Sequence, residues 1–262
     1  LRESEKLKVV TKYELLKQLR RKRLYLVLAL AIAVELLVLV LLPALGQSYP
    51  NDVMEMAVLL SIGPSFAIIG AIFFAGDAIA GEFEGKTGYT LFPNPVRRTT
   101  IVVGKYLACV LAMGLILFIT YACVSVSLLA IYHQIPLEVA ESLALCLLLA
   151  SSVLGITFFF SSISKGVMSA TVMTLVIFFV VSGVLESVLM LAGQPRWFLL
   201  SYAGDVVITV YGGYGAFQGG AGQIPTAALK PPEIGTSIWV MVAYLVVFFF
   251  LSIWVTKRRE MI

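Results

Sequence analysis

The sequence predicts an all-α integral membrane protein. Three observations carry that class: six long apolar runs, a charged content of only 13% in 262 residues, and a lopsided distribution of basic residues. Soluble domains carry roughly 25% charged residues. A helix needs about 20 apolar residues to cross a bilayer. Helices are required because backbone groups find no water to bond inside lipid.

The first run, Leu24–Leu42, is interrupted only by Glu35. It follows a basic stretch, and Ala44-Leu45-Gly46 resembles a signal-peptidase site. Secretory apolar regions run about 7–15 residues behind a short basic lead, so this run reads as an uncleaved span. Met56–Gly76 is the second run, and its Gly63-Pro64 step predicts a kink. Tyr106–Ile131, Val139–Ile163, Val167–Leu191 and Ile238–Val255 complete the set. Ser151, Ser152 and Gly155 in the fourth, and Ser169 and Ala170 in the fifth, are small enough for close helix contacts. The expected organisation is a cytosolic interfacial helix over 1–23 and one six-helix membrane domain over 24–262.

Six spans place both termini on one side. Seventeen of the 19 Lys and Arg then share that side, leaving Arg196 and Lys230 on the other. The positive-inside rule makes both termini cytoplasmic in a multi-pass protein of the cell membrane. The net charge of +4 reflects this topology and does not imply a nucleic-acid partner. Cys109, Cys123 and Cys146 all lie in apolar runs without CxxC spacing, and His133 is the only histidine. With no HExxH, GxSxG or Walker A pattern, neither catalysis nor a metal or cofactor in this chain is expected.

Between Leu7 and Leu19, residues Val9, Val10, Tyr13, Leu16 and Leu19 fall near helical spacing among lysines. This pattern predicts an amphipathic helix at the cytoplasmic interface, stopped by Arg20-Arg21-Lys22-Arg23. The polar segment Gly81–Lys105, GEFEGKTGYTLFPNPVRRTTIVVGK, separates the second and third runs. Its acids favour a short helix from Glu82 to Thr90, because the helix dipole favours negative charge at the N-terminus. Pro93-Asn94-Pro95 turns the chain, and Thr99 or Thr100 is placed to cap the third span. On chemistry alone the segment is equally a rigid element that transmits force or a solvated connection.

Ala192–Ser237 is the largest outer loop. Trp197–Leu200 and Val206–Tyr211 are apolar enough to dip back into the membrane, which requires protein or water around any non-helical backbone. Thr209-Val210-Tyr211-Gly212 echoes a potassium filter, but Tyr211 breaks the order, so a glycine-rich turn is the better reading. Glu35 and Glu186 are intramembrane acids. Each is either functional, binding a cation or relaying protons, or a carboxyl bonded to neighbouring helices. The structural reading is favoured for Glu186, near the outer interface.

Glu82 and Glu84, Lys86-Thr87, Leu91-Phe92, Pro95-Val96-Arg97-Arg98 and Gly104-Lys105 together resemble the cytosolic signature of ABC type-2 transporter permeases. One departure is Lys86, where many members carry glycine. The resemblance implies a half-transporter without its own ATPase, with ATP and Mg on a separate ATPase subunit. It further implies a pair of permeases with a pair of ATPases, export of substrate, and an outer gate of short re-entrant helices. Glu82–Arg98 would be the coupling helix, with Glu82, Glu84, Thr87, Pro95, Arg97 and Arg98 at the ATPase. Charge reversal at Glu82 and Glu84 is then expected to weaken coassembly or to uncouple ATP hydrolysis from transport, while leaving the bundle folded. Two other classes stay open: a secondary carrier or channel using Glu35 and Glu186, and a membrane anchor without transport.

Overall fold

The computed structural model describes residues 3–85, 98–212 and 231–258. Every regular element among them is helical. In chain order these are α1 (Glu3–Leu19), α2 (Lys22–Ala44), α3 (Val53–Leu60), α4 (Ile62–Gly76), α5 (Ala80–Glu84), α6 (Arg98–Tyr132) and α7 (Glu138–Ile163). They continue as α8 (Val167–Leu175), a π-helical stretch (Val176–Val181), α9 (Ser182–Leu191), α10 (Leu200–Gly204), α11 (Val206–Thr209) and α12 (Ile234–Arg258). Among the described residues, five helices are long and apolar enough to cross a membrane: α2, α6, α7, the continuous α8–α9 rod and α12.

The second expected span differs. Met56–Gly76 is not one helix but parts of two, α3 and α4, which meet at Ser61. Pro64 explains the break, because it has no N–H to give to the Leu60 carbonyl four residues earlier. The buried Ser61 hydroxyl donates to the Ala57 carbonyl at 2.7 Å.

Helix α7 is the centre of the bundle, touching α4, α6, α8, α11 and α12. Its small residues do the packing that the sequence expected of them. A Cβ on Gly155 would lie 3.4 Å from the Leu245 carbonyl oxygen of α12, and the Ser152 hydroxyl donates to the Met241 carbonyl at 2.8 Å. In α8, Ala170 is buried, but Ser169 is exposed and its hydroxyl turns back to the Gly166 carbonyl. Glycines set the closest approaches elsewhere. Gly70 of α4 lies under Val27 of α2, and Gly76 lies under Thr171 of α8.

Helix α6 extends beyond its expected span, Tyr106–Ile131, to begin at Arg98. At about 1.5 Å per residue it is roughly 50 Å long. That exceeds a hydrocarbon core of about 30 Å, so α6 must project past the bilayer. Thr100 therefore lies inside the helix rather than capping it, and its hydroxyl donates to Glu3 Oε2 of α1 at 3.1 Å. Helix α1 packs along this projection, with Val10 seated on Gly104. Of the apolar residues expected on one face of α1, Val10 and Leu19 turn inward, while Val9, Tyr13 and Leu16 stay exposed.

Candidate functional site

The polar segment after α4 starts from a fixed point. The Ser161 hydroxyl of α7 accepts the N–H groups of Ile79 and Ala80 at 3.2 and 2.9 Å and donates to the Gly76 carbonyl at 2.9 Å. One hydroxyl supplies one donor and two acceptor sites, so its capacity is filled. This pins the turn between α4 and α5 to the last turn of α7.

The two glutamates of α5 then face different partners. Glu82 is buried and accepts from the Lys105 ammonium of α6 at 2.6 Å. Lys105 also reaches Glu14 of α1 at 3.0 Å. Lys17 of α1 closes the figure, lying 3.5 Å from Glu14 and 3.6 Å from Glu82. The result is a ring of alternating charge, Glu14–Lys105–Glu82–Lys17, spanning α1, α5 and α6. Lys17 sits at its water-exposed edge, whereas the Lys105 side chain is only 4% exposed. Glu84 is exposed and accepts the Val167 N–H at 2.7 Å. That bond satisfies one orphan donor at the start of α8 and places a carboxylate at the positive end of the helix.

Beside the ring, Asp77 ends α4 and pairs with Arg21 and, at 3.7 Å, with Arg23. Burial lowers the Arg21 pKa from its ordinary value and Arg23 adds to the effect, while Glu14, Cys109 and Glu82 oppose it. Gln18, also buried, donates to the Cys109 sulfur at 3.7 Å. A small apolar cleft next to the ring is lined by Ala78, Ile79, Ile101, Val102 and Thr256. Thr256 belongs to the last turn of α12, so the carboxyl end of that helix lies at the same end of the bundle as α1.

Of the expected coupling residues, Glu82 and Glu84 are brought together at this joint. Thr87, Pro95 and Arg97 lie outside the described residues, as does most of the expected helix Glu82–Thr90. Arg98 is the first residue of α6. Because Glu82 is buried in the ring, reversing its charge tests the packing of the bundle as well as the docking of a partner. Glu14, Lys17 and Asp77 had no assigned role in the sequence reading, and Arg21 figured there only among the four basic residues that stop the interfacial helix. The polar stripe Thr11, Glu14, Gln18 at helical spacing was the available signal, since it marks a polar face turned inward.

The intramembrane acids have different surroundings. Glu35 is buried in α2, and its Oε1 has no hydrogen-bond partner among the described residues. Glu186 of α9 lies 3.8 Å from the buried Arg196 guanidinium and accepts the Ser201 hydroxyl at 3.1 Å. Of the apolar residues expected to re-enter, Leu200 begins α10 and Val206–Thr209 form α11, while Trp197–Leu199 precede the first and Val210 and Tyr211 follow the second. Leu199, Leu200, Tyr202, Val206, Val207 and Tyr211 are buried against the bundle, while Trp197 and Phe198 are exposed. Of the expected glycine-rich turn, Gly212 has a φ of +74°, which suits glycine, and the glycines that follow it lie outside the described residues.

A bundle of long apolar helices with a charged joint at one end defines a multi-pass membrane protein whose spans are tied together through a polar segment. The family described as ABC-2 family transporter protein matches residues 10–181. The chain belongs to that family and is a transmembrane component of an ABC transporter. Membrane subunits of this family generally work with an ATPase partner. Among curated proteins, none matches the chain.

Proposed function

We propose that this chain is the permease subunit of an ATP-driven exporter, assembled as two copies with two separate ATPase subunits. The observation that supports it most is the joint: one short segment carries Glu82 into α1 and α6, and Glu84 onto the start of α8. A displacement imposed on residues 82–98 by a partner would move three helices at once, which a solvated linker would not do. The chain itself is not catalytic in this reading; ATP and Mg belong to the partner. Thr87, Pro95, Arg97 and Arg98 contact the ATPase, and Glu82 and Glu84 carry the motion inward. Export is the direction proposed, with α10 and α11 as the outer gate.

The same reading makes α3 and α4 together the second of six spans. Both termini are then cytoplasmic. With single cysteines placed at Gly88 and Gly219 in a cysteine-free background, an impermeant thiol reagent applied to intact cells labels Gly219 and spares Gly88. The reverse pattern overturns the orientation.

The two-copy assembly draws support from α2 and the α8–α9 rod, the first and fifth expected spans. Both leave most of their length uncovered by the rest of the chain, so these are the faces proposed to meet a second copy. Native mass spectrometry of the complex in mild detergent is expected to show two permeases with two ATPases. Reversing charge at Glu84 and Arg97 together dissociates the ATPases and leaves the permease pair. An active species with one permease copy, or a ring of three or more, is incompatible with the proposal.

A further inference from the structure

Helix α1 is packed the wrong way round for a helix in water. Its polar residues turn inward: Glu14 binds Lys105, Gln18 is buried against Cys109, and the Thr11 hydroxyl is withdrawn from solvent. Val9, Tyr13 and Leu16 face outward. Lys12 and Arg20 are exposed with them, and neither has an ion pair among the described residues. The Arg20 N–H donates to the Leu16 carbonyl at 3.1 Å, so Arg20 continues the last turn of the helix. At 3.6 residues per turn, positions 9, 12, 13, 16 and 20 share about 100° of arc.

This face stands where the bundle meets the membrane boundary. Two residues after Arg20 the chain enters α2, whose Tyr25 and Leu26 are exposed, as a lipid-facing surface requires. On α12 the Arg258 guanidinium lies 4.1 Å from the centroid of the exposed Trp254 ring. Tryptophan collects at the membrane–water interface, and basic residues flank the ends of spans. Thr256, between those two, lines the cleft beside Lys105, and Lys105 holds Glu14 of α1. One side chain thus joins α1 to the residues that mark the interface.

Charge points to the kind of lipid. Lys8 is exposed alongside Lys12, and Glu5, one turn before Val9, is the acid at the far end of the face. The undescribed chain next to this end adds Arg2, Lys86, Arg97 and Arg259 against Glu260 alone. We propose that the outer face of α1, from Val9 to Arg20, docks on anionic phospholipid headgroups. Val9, Tyr13 and Leu16 enter the headgroup boundary, and Lys12 and Arg20 meet the phosphates. Each such basic residue near an anionic surface adds roughly fivefold in occupancy. The docking is coupled to the joint, because Glu14 and Lys17 of the same helix complete the charged ring. Lipid that holds the outer face therefore also seats the ring, and the anionic lipid content sets how firmly α1 holds α5 and α6.

Spin-label accessibility identifies what covers the face. It needs no ATPase or transport, and a nanodisc has the same lipids in both leaflets, so neither the exporter reading nor the orientation enters. Leu16→Cys in a cysteine-free background carries the nitroxide. Its collisions with oxygen, dissolved in lipid, are compared with its collisions with a water-soluble nickel chelate. On passing from phosphatidylcholine alone to about 30% phosphatidylglycerol, the ratio of the two should rise about fivefold. Lys12→Gln with Arg20→Gln should abolish the rise. Should that double variant not fold, NaCl at about 0.5 M should erase the rise without it, since salt screens exposed charges. A ratio unchanged by phosphatidylglycerol overturns the proposal, whether the label stays open to nickel or is closed to both reagents by a second copy of the chain. A rise that survives the double variant, or the salt in its place, overturns the role of Lys12 and Arg20 and with it the anionic assignment.

Discussion

Lys105→Met is expected to be the most damaging single change at the joint. Lys105 is buried and stands between Glu14 and Glu82, at 3.0 and 2.6 Å. Removing it leaves two carboxylates facing each other with only the half-exposed Lys17 between them. Breaking a buried pair from one side costs about 3–5 kcal/mol. The same change at Lys17, at the edge of the ring, should cost about 0–1 kcal/mol, as surface pairs do. Thermal unfolding of the detergent-purified chain reads the difference. A second variant carrying both Lys105→Met and Glu82→Gln should recover part of the loss, because the orphaned acid is gone. Equal melting temperatures for Lys105→Met and Lys17→Met would mean that the ring holds nothing.

Gly76→Ala is the second large effect. A Cβ at Gly76 would lie 2.3 Å from Thr171 Oγ1 and 3.3 Å from Thr171 Cβ. Thr171 is buried, and its hydroxyl is engaged with the Val167 carbonyl at 3.0 Å. The side chain has little room to rotate, so α4 and α8 must separate. Overpacking of this kind costs about 1–3 kcal/mol. Separation here also pulls on the Gly76 carbonyl, which accepts from Ser161, and so loosens the root of α5. Adding Thr171→Ala should restore most of the stability. If Gly76→Ala and Gly183→Ala are equally mild, the close crossing is not as described, since a Cβ at Gly183 meets nothing within 4 Å.

Five of the six expected spans were legible in the sequence because lipid imposes one simple demand, a run of apolar residues of sufficient length. Their ends were less so. Helix α6 runs back to Arg98 because α1 covers its projecting turns, and nothing within 98–105 announces that partner. The break in the second span was visible in Pro64, but its position was not. A proline acts on the carbonyl four residues before it, so the helix parts at Ser61.

The joint was half legible. Glu82 and Glu84 stood out, yet their two-residue spacing does not say that one turns inward and the other caps α8. Glu14 and Lys17, three apart on a helix, read as an ordinary solvated pair. Only the docking of α1 over α5 makes them part of a buried ring. On α1 the exposed residues include Val9 and Tyr13, and the buried ones include Gln18. A rule that equates apolar with buried, sound for water-soluble helices, has the wrong solvent here.

The length of α6 has a mechanical consequence. From Lys105 to Arg98 the helix runs roughly 10 Å, and from Lys105 to Tyr132 roughly 40 Å, at about 1.5 Å per residue. If the charged ring serves as a fulcrum, these are the short and long arms of one lever. A push of about 1 Å on the short arm would swing the far end by about 4 Å, trading force for travel. A motor that moves little but pushes hard would be matched through such a helix to a passage that must open wide.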